Sequence, residues 1–326
     1  MSQVHQPAGI RVFTDAEIAQ VLSLTECISE VEKAFNLLAE GKVLDSNLMH
    51  LEAEEGEFHV KGGVMKYGKE EAYFGLKANG RFVHNQARYG LPNISGLIYL
   101  SDATKGQPLA VFDSAHITRV RTGAATAVAV KCLTLPDASR VTICGAGVQG
   151  KIQLGAITKV RPIEQAYYYD HRPEAAVEAA QAMQTQLGIE VTAIGRPELG
   201  TRESDIIVTC TPARQAYITR EMIPDRAFVA AVGTDSPGKQ ELVPDLVANS
   251  HVVADLRSQV VQVGELQYQS PEKVGEILLG ELHEFVSGRK QWPTTNVPLI
   301  FDSTGTAIQD IAAAVTVWRK TLNDDK

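Results

Sequence analysis

The chain has 326 residues, enough for two domains with sizeable cores, and its 44% hydrophobic and 21% charged residues are the balance of an ordinary globular protein. A formal net charge of −8 argues against a nucleic-acid or anionic-membrane partner, and no apolar run is long enough for a membrane span. The start of the chain, MSQVHQPAGIRVFTDAE, lacks the basic and apolar regions of a secretory leader. Cys27, Cys132, Cys144 and Cys210 show no metal-ligand spacing, so no metal and a reducing, cytoplasmic setting are expected.

In chain order, Val12 and Phe13 read as a short strand, and Thr14-Asp15-Ala16-Glu17 as a capping box that opens a helix. A second helix is expected over Thr25 to Glu40, where Ile28, Val31, Ala34, Phe35 and Leu38 recur at helical spacing before Gly41. The runs 48–51, 57–61, 73–78, 94–100 and 109–112 read as strands of a mostly antiparallel sheet. A helix over 115–133 follows, ending near Pro136.

From Arg140 the pattern becomes strand-helix alternation, with strands expected at 141–144, 166–170, 190–194, 205–210, 228–232 and 251–254 and a closing helix over about 306–322. The fold class is therefore α/β: a Rossmann-type doubly wound parallel sheet plus a second α+β domain. Residues 120–302 are assigned to the dinucleotide domain, and residues 1–119 with 303–326 to a substrate-binding and dimerisation domain.

The stretch VTICGAGVQG carries the chemistry of the first of these. A strand runs into Gly145, Gly147 and Gly150 in the pattern G-x-G-x-x-G, and a second strand ends at Asp170. Gly145 would allow the tight turn, Gly147 the approach of a pyrophosphate, and Gly150 close helix–strand packing. Val148 and Gln149 open the helix whose N-terminus attracts phosphate. Asp170 would accept the ribose hydroxyls and favour NAD; His171 and Arg172 beside it leave NADP open, because an arginine there can receive a 2′-phosphate.

Three further segments carry candidate groups. In FGLKANGR, Lys77 sits in an apolar strand, where an inward lysine needs an anion and an outward one is merely solvated. In RVRTGAAT, Arg121 opens a small-residue helix and could fork onto a carboxylate. In VGTDSPGKQEL, Asp235 follows a buried strand and suits general acid/base work, or the capping of a turn.

Together, LKANGRF, RTGAATA, ICGAGVQG, VGTDSPGKQEL and IFDSTGTAIQD resemble the ornithine cyclodeaminase/mu-crystallin family, in this order from Leu76 to Asp310. The resemblance implies a two-domain homodimer joined through the substrate domain. It places Lys77 against the substrate carboxylate or carbonyl, Arg121 on the carboxylate, and Asp235 as acid/base. It places Thr122 near the cofactor phosphates, and Thr211, Gly233 and Ser303 are assigned to the cofactor as well. The chain departs from cyclodeaminases in two places: Ser46 to His50 lacks an arginine, and Lys61 stands where a glutamate would be used. Lys61, Arg81 and Arg121 are thus candidates, with Lys77, for holding a small amino dicarboxylate or its imine, although Arg81 is expected on an exposed turn. The expected activity is NAD(P)H-dependent reduction of a small α-imino acid, or reductive amination of a 2-oxo acid, to an L-amino acid, with iminosuccinate as the example. Cyclodeamination with catalytic NAD+ and a non-catalytic, ligand-binding mu-crystallin role are the alternatives.

Overall fold

A computed structural model of the protein describes residues 9–45, 48–293 and 296–324. These described residues divide into two compact units: those within 9–23, 40–118 and 307–324 form the first, and those within 24–39 and 119–306 the second.

The first unit is built on a seven-stranded sheet, β1 (Arg11–Phe13), β2 (Val43–Asp45), β3 (Met49–Ala53), β4 (Gly56–Lys66), β5 (Ala72–Arg81), β6 (Ile94–Asp102) and β7 (Gln107–Asp113). Its order is β1-β7-β6-β5-β4-β2 with β3 also on β4, and every pair is antiparallel except β1 with β7. The expected capping box is formed: the Glu17 amide donates to Thr14 Oγ1, and the Thr14 amide donates to Glu17 Oε2.

Alternation sends residues 57, 59, 61 of β4 and 77, 79, 81 of β5 to one face. That face lies against the C-terminal helix Ala307–Asp324, and it comes so close that a Cβ on Gly75 would sit 2.5 Å from Ile311 Cγ1. The opposite face carries exposed Phe58 and Leu97.

The second unit holds an eight-stranded sheet: β8 (Arg140–Cys144), β9 (Gln165–Tyr169), β10 (Glu190–Ala193), β11 (Ile206–Thr209), β12 (Phe228–Ala231), β13 (His251–Ala254), β14 (Leu278–Glu281) and β15 (Leu299–Asp302). All its pairs are parallel, in the order β10-β9-β8-β11-β12-β15-β13-β14. Strand order reverses between β8 and β11, the switch point of a doubly wound sheet. β14 and β15 were not anticipated. Each has only four residues, too few for periodicity to separate a strand from a short helix.

The helix Leu24–Ala39, read above with the first domain, belongs to this second unit. Its buried stripe of Cys27, Ile28, Val31, Ala34 and Phe35 packs against the helices Val148–Ile157 and Leu282–Val286, and Lys131 Nζ holds Glu32 Oε1 at 2.8 Å. Sequence position alone could not reveal that partner. All four cysteines are free thiols. Burial raises the pKa of Cys144 and Cys210, which keeps both as unreactive thiols. Among the described residues no helix is long and apolar enough to cross a membrane.

Candidate functional site

In the second unit the candidate cofactor residues form a row. β9, β8, β11, β12 and β15 are consecutive in the sheet, and their carboxyl ends lead into Asp170, Gly145, Thr211, Gly233 and Ser303. This is the edge of an open parallel sheet where ligands bind.

The glycine loop fits a dinucleotide on this chain's own geometry. Gly145 has φ +114°, a conformation that side chains resist. A Cβ on Gly150 would lie 1.9 Å from the Gly145 carbonyl, so the helix Val148–Ile157 meets its strand at a distance only glycine allows. A Cβ on Gly147 would meet nothing within 4 Å, and Gly147 and Val148 are exposed at the helix N-terminus. Loop, space and amide donors are those a pyrophosphate requires.

Asp170 is nearly buried and ties the loop to the second strand: Ala146 donates its amide to Oδ2 at 2.9 Å and Arg172 its amide to Oδ1 at 3.0 Å. His171 Nδ1 and Arg172 Nε lie 3.2 and 3.6 Å from the same Oδ1, on side chains that are mostly exposed.

Two buried carboxyls brace the next loops. Glu241 Oε1 accepts from the Thr211 amide and hydroxyl at 2.7 Å each, and Oε2 accepts from the Gly233 amide at 3.0 Å. Thus Thr211 and Gly233, from separate loops, share one carboxyl. Glu265 Oε1 accepts from Thr234 Oγ1 at 2.7 Å and the Glu241 amide at 2.9 Å. Neither glutamate is legible in the sequence, because a buried acid in a loop, like Glu241, or at the start of a single 3-10 turn, like Glu265, has no periodic signature; only the G-K-Q-E-L end of the motif hints at Glu241.

Burial pushes Glu265 up to about 7, the nearby Glu241 charge adding to the effect and the hydrogen bonds opposing it. A carboxyl raised on folding costs stability as pH climbs from its unfolded pKa, about 4.5, through 7, and the full cost applies above that. Glu265→Gln keeps an acceptor for Thr234 and the Glu241 amide but cannot ionise. Its Tm should equal wild type below about pH 4, where both states keep the proton, and exceed it at pH 8, by about 2–4 °C for each kcal/mol relieved. Equal pH slopes for the two proteins in thermal unfolding would refute this.

Ser303 Oγ donates to Asp255 Oδ2 at 3.0 Å and the Gly305 amide to the same oxygen at 2.7 Å. Gly305 has φ +74°, and a Cβ there would lie 2.3 Å from an Arg121 terminal nitrogen. The buried Arg121 guanidinium therefore lies flush with a glycine turn that Asp255 holds. Thr122 follows it on the helix Ser114–Leu133, and its carbonyl accepts from Thr126 Oγ1.

Asp235, with its side chain 47% exposed, is ion-paired at 2.5 Å to the buried Lys239 Nζ, which also donates to the Gly233 carbonyl at 3.0 Å. The aspartate is thus carried on an anchored loop. Lys239 was missed because a lysine beside a Pro-Gly turn reads as solvated surface.

In the first unit Lys77 is 5% exposed and its Nζ lies 2.7 Å from Asp310 Oδ2 on the C-terminal helix. It is an inward lysine, which settles the question its spacing left open. Lys61 is directly opposite it on β4 and also buried. Like charges facing each other across a sheet are unfavourable unless anions accompany them.

Arg81 is not on an exposed turn as expected. It ends β5, which runs on through the Ala-Asn-Gly stretch, and its Nη1 holds Glu57 Oε1 at 2.8 Å on β4. Of the stretch Ser46 to His50, read above for its lack of an arginine, Ser46 and Asn47 lie outside the described residues.

The sequence profile described as "Ornithine cyclodeaminase/mu-crystallin family" matches residues 10–325. Three solved structures are similar over nearly the whole chain. An archaeal alanine dehydrogenase dimer with bound NAD has TM-score 0.90 and 31% identity, covering 97% of each chain. The Thermococcus litoralis Δ1-pyrroline-2-carboxylate reductase with NADH and L-proline has TM-score 0.89 and 30% identity, covering 97% of this chain and 98% of that one. The Paracoccus denitrificans iminosuccinate reductase with NAD+ has TM-score 0.86 and 27% identity, covering 97% of each. On the strength of the full-length profile match, the chain belongs to the ornithine cyclodeaminase/mu-crystallin family.

Proposed function

We propose that the protein is an NAD-dependent oxidoreductase that reduces a small α-imino acid to an L-amino acid, with a dicarboxylic substrate such as iminosuccinate. The observation that carries the substrate class is the buried cross-strand pair Lys61 and Lys77, which concentrates positive charge where a mono-carboxylate would need less of it. Relatives that reduce iminosuccinate and pyrroline-2-carboxylate support the reaction class. The same pair disfavours a diamino substrate, whose second ammonium it would repel.

Gly145, Gly147, Val148, Gln149 and Gly150 hold the cofactor pyrophosphate, Asp170 its adenosine ribose, and Thr122, Thr211, Gly233 and Ser303 the remainder. The Asp170 charge repels a 2′-phosphate, which favours NAD over NADP; His171 and Arg172 flank that position. When bound, the cofactor supplies the hydride that the imine carbon receives. Lys77 and Arg121 align the substrate carboxylate, which removes much of the entropic cost of reaction. Lys61 receives the second carboxylate, and Arg81, neutralised by Glu57, supports that end. Asp235 supplies a proton to the nitrogen, so that imine, hydride and proton sum to amine.

The test is the initial rate of NADH oxidation with ammonia and, in turn, oxaloacetate, pyruvate, glyoxylate and 2-oxoglutarate, with NADPH in parallel. Turnover with oxaloacetate above the others is expected. NADH binding with no turnover on any of them would overturn the proposal, and ammonia release from ornithine without net NADH change would put cyclodeamination in its place.

The proposal includes a homodimer joined through the first unit, and an exposed apolar groove supports it. Phe58, Phe82, Tyr89, Leu91 and Leu97 line a depression of about 820 Å³ on the sheet face turned away from the C-terminal helix. Apolar patches of this kind mark protein interfaces. Leu97→Glu should convert dimer to monomer in light scattering after gel filtration. A variant that stays dimeric would exclude this face.

A further inference from the structure

We propose that His50, Glu57 and His59 form a binding site for a zinc-class divalent cation on the first unit. His50 and His59 are direct cross-strand partners on β3 and β4, and Glu57 precedes His59 by two residues, so all three side chains rise from one face. Glu57 Oε2 lies 3.0 Å from His50 Nε2 and 3.5 Å from His59 Nε2. Tetrahedral zinc with bonds of about 2.0–2.1 Å sets its ligand atoms about 3.3 Å apart, so both edges fit. The three residues each offer one ligand atom, and these atoms lie within 4.8 Å of one another.

The ring centroids are 4.8 Å apart, and both Nε2 atoms are shielded from solvent. Two imidazoles and a carboxylate are a ligand set for zinc and its first-row neighbours, with a fourth position left for water or an anion.

The carboxylate is held for this task by its other oxygen. Glu57 Oε1 is 2.8 Å from Arg81 Nη1, which fixes the orientation of Oε2 toward the histidines. The cluster adjoins the lysine pair, since His59 and Asn79 are the next same-face pair along the strands from Lys61 and Lys77. Spacing on the sequence could not reveal it, because the hairpin between His50 and His59 brings together residues that no ligand motif links.

The experiment uses the full chain freed of any affinity tag and dialysed against chelator. Zinc is titrated calorimetrically, and cobalt(II) is added in parallel to read the visible absorption of a tetrahedral ion. One ion per chain with micromolar or tighter affinity is expected, lost in His50→Ala/His59→Ala. Arg81→Gln should weaken it by about 10–100-fold while leaving the ligands in place. Metal-free melting of each variant separates loss of binding from loss of fold. If the double variant fails to fold, Glu57→Gln, which keeps an acceptor for Arg81, takes its place and should also abolish binding. Absence of micromolar binding in wild type, or unchanged stoichiometry in a folded ligand variant, would overturn the site.

Discussion

Lys77→Met should lower kcat/KM for the imine substrate by about a thousandfold or more, the scale of losing an alignment and charge contact made at the reacting end. The lysine has few other reasons to be where it is. It is 5% exposed on a strand and opposite a second buried lysine, so solvation cannot account for it, and Asp310 at 2.7 Å neutralises one charge of the pair. Removing Lys77 alone breaks the buried Lys77–Asp310 pair, a loss of about 3–5 kcal/mol in comparable pairs. Activity loss must therefore be separated from unfolding. Lys77→Met/Asp310→Asn removes both charges and should recover most of the lost Tm while remaining inactive. NADH titrated by fluorescence should bind both variants as it binds wild type, because the glycine loop belongs to the other unit. Recovery of both Tm and turnover in the double variant would show that Lys77 serves only the ion pair, and the proposed role would fall.

Lys77 also shows how far residues can be read before a structure. Its position in an apolar strand was legible, and so was the need for an anion if it pointed inward. The direction was not, because a period of two assigns residues to alternate faces without saying which face is covered. The answer came from Asp310 on a helix more than two hundred positions later. The glycine loop is the opposite case. Strand, turn, helix and acid are contiguous there, so local rules sufficed, and the row at the carboxyl ends of the sheet follows from the parallel order. Arg81 was misread because Ala-Asn-Gly resembles a turn. In the sheet, the strand continues through it: Gly80 faces Phe58, and the Asn79 side chain lies under Gly96, where a Cβ would sit 2.3 Å from the Asn79 oxygen. Glu241, Glu265 and Lys239 were invisible for a common reason. Each is a charged group buried in a loop or at a single 3-10 turn, and neither carries a periodicity.

Two glycines three positions apart should respond to the same substitution in different ways. Gly150→Ala should destabilise the protein severely. Its Cβ would fall 1.9 Å from the Gly145 carbonyl oxygen and 3.1 Å from Ile143 Cγ2, both belonging to the central strand and its turn. Backbone cannot rotate aside, so the helix must shift away, at a cost of about 1–3 kcal/mol or more. The displaced amides would also lose the phosphate, so Tm and NADH affinity should fall together. Gly147→Ala meets nothing within 4 Å and has φ −74°, which alanine adopts freely. The protein alone gives it no reason to be glycine. If a pyrophosphate lies over this position, Gly147→Ala should leave Tm within about a degree of wild type and weaken NADH by tenfold or more, the methyl standing where the phosphate approaches. Paired melting curves and NADH titrations make the contrast. Unchanged NADH affinity in Gly147→Ala would remove the pyrophosphate from this loop. It would reduce the G-x-G-x-x-G pattern to a packing device in which only Gly145 and Gly150 matter.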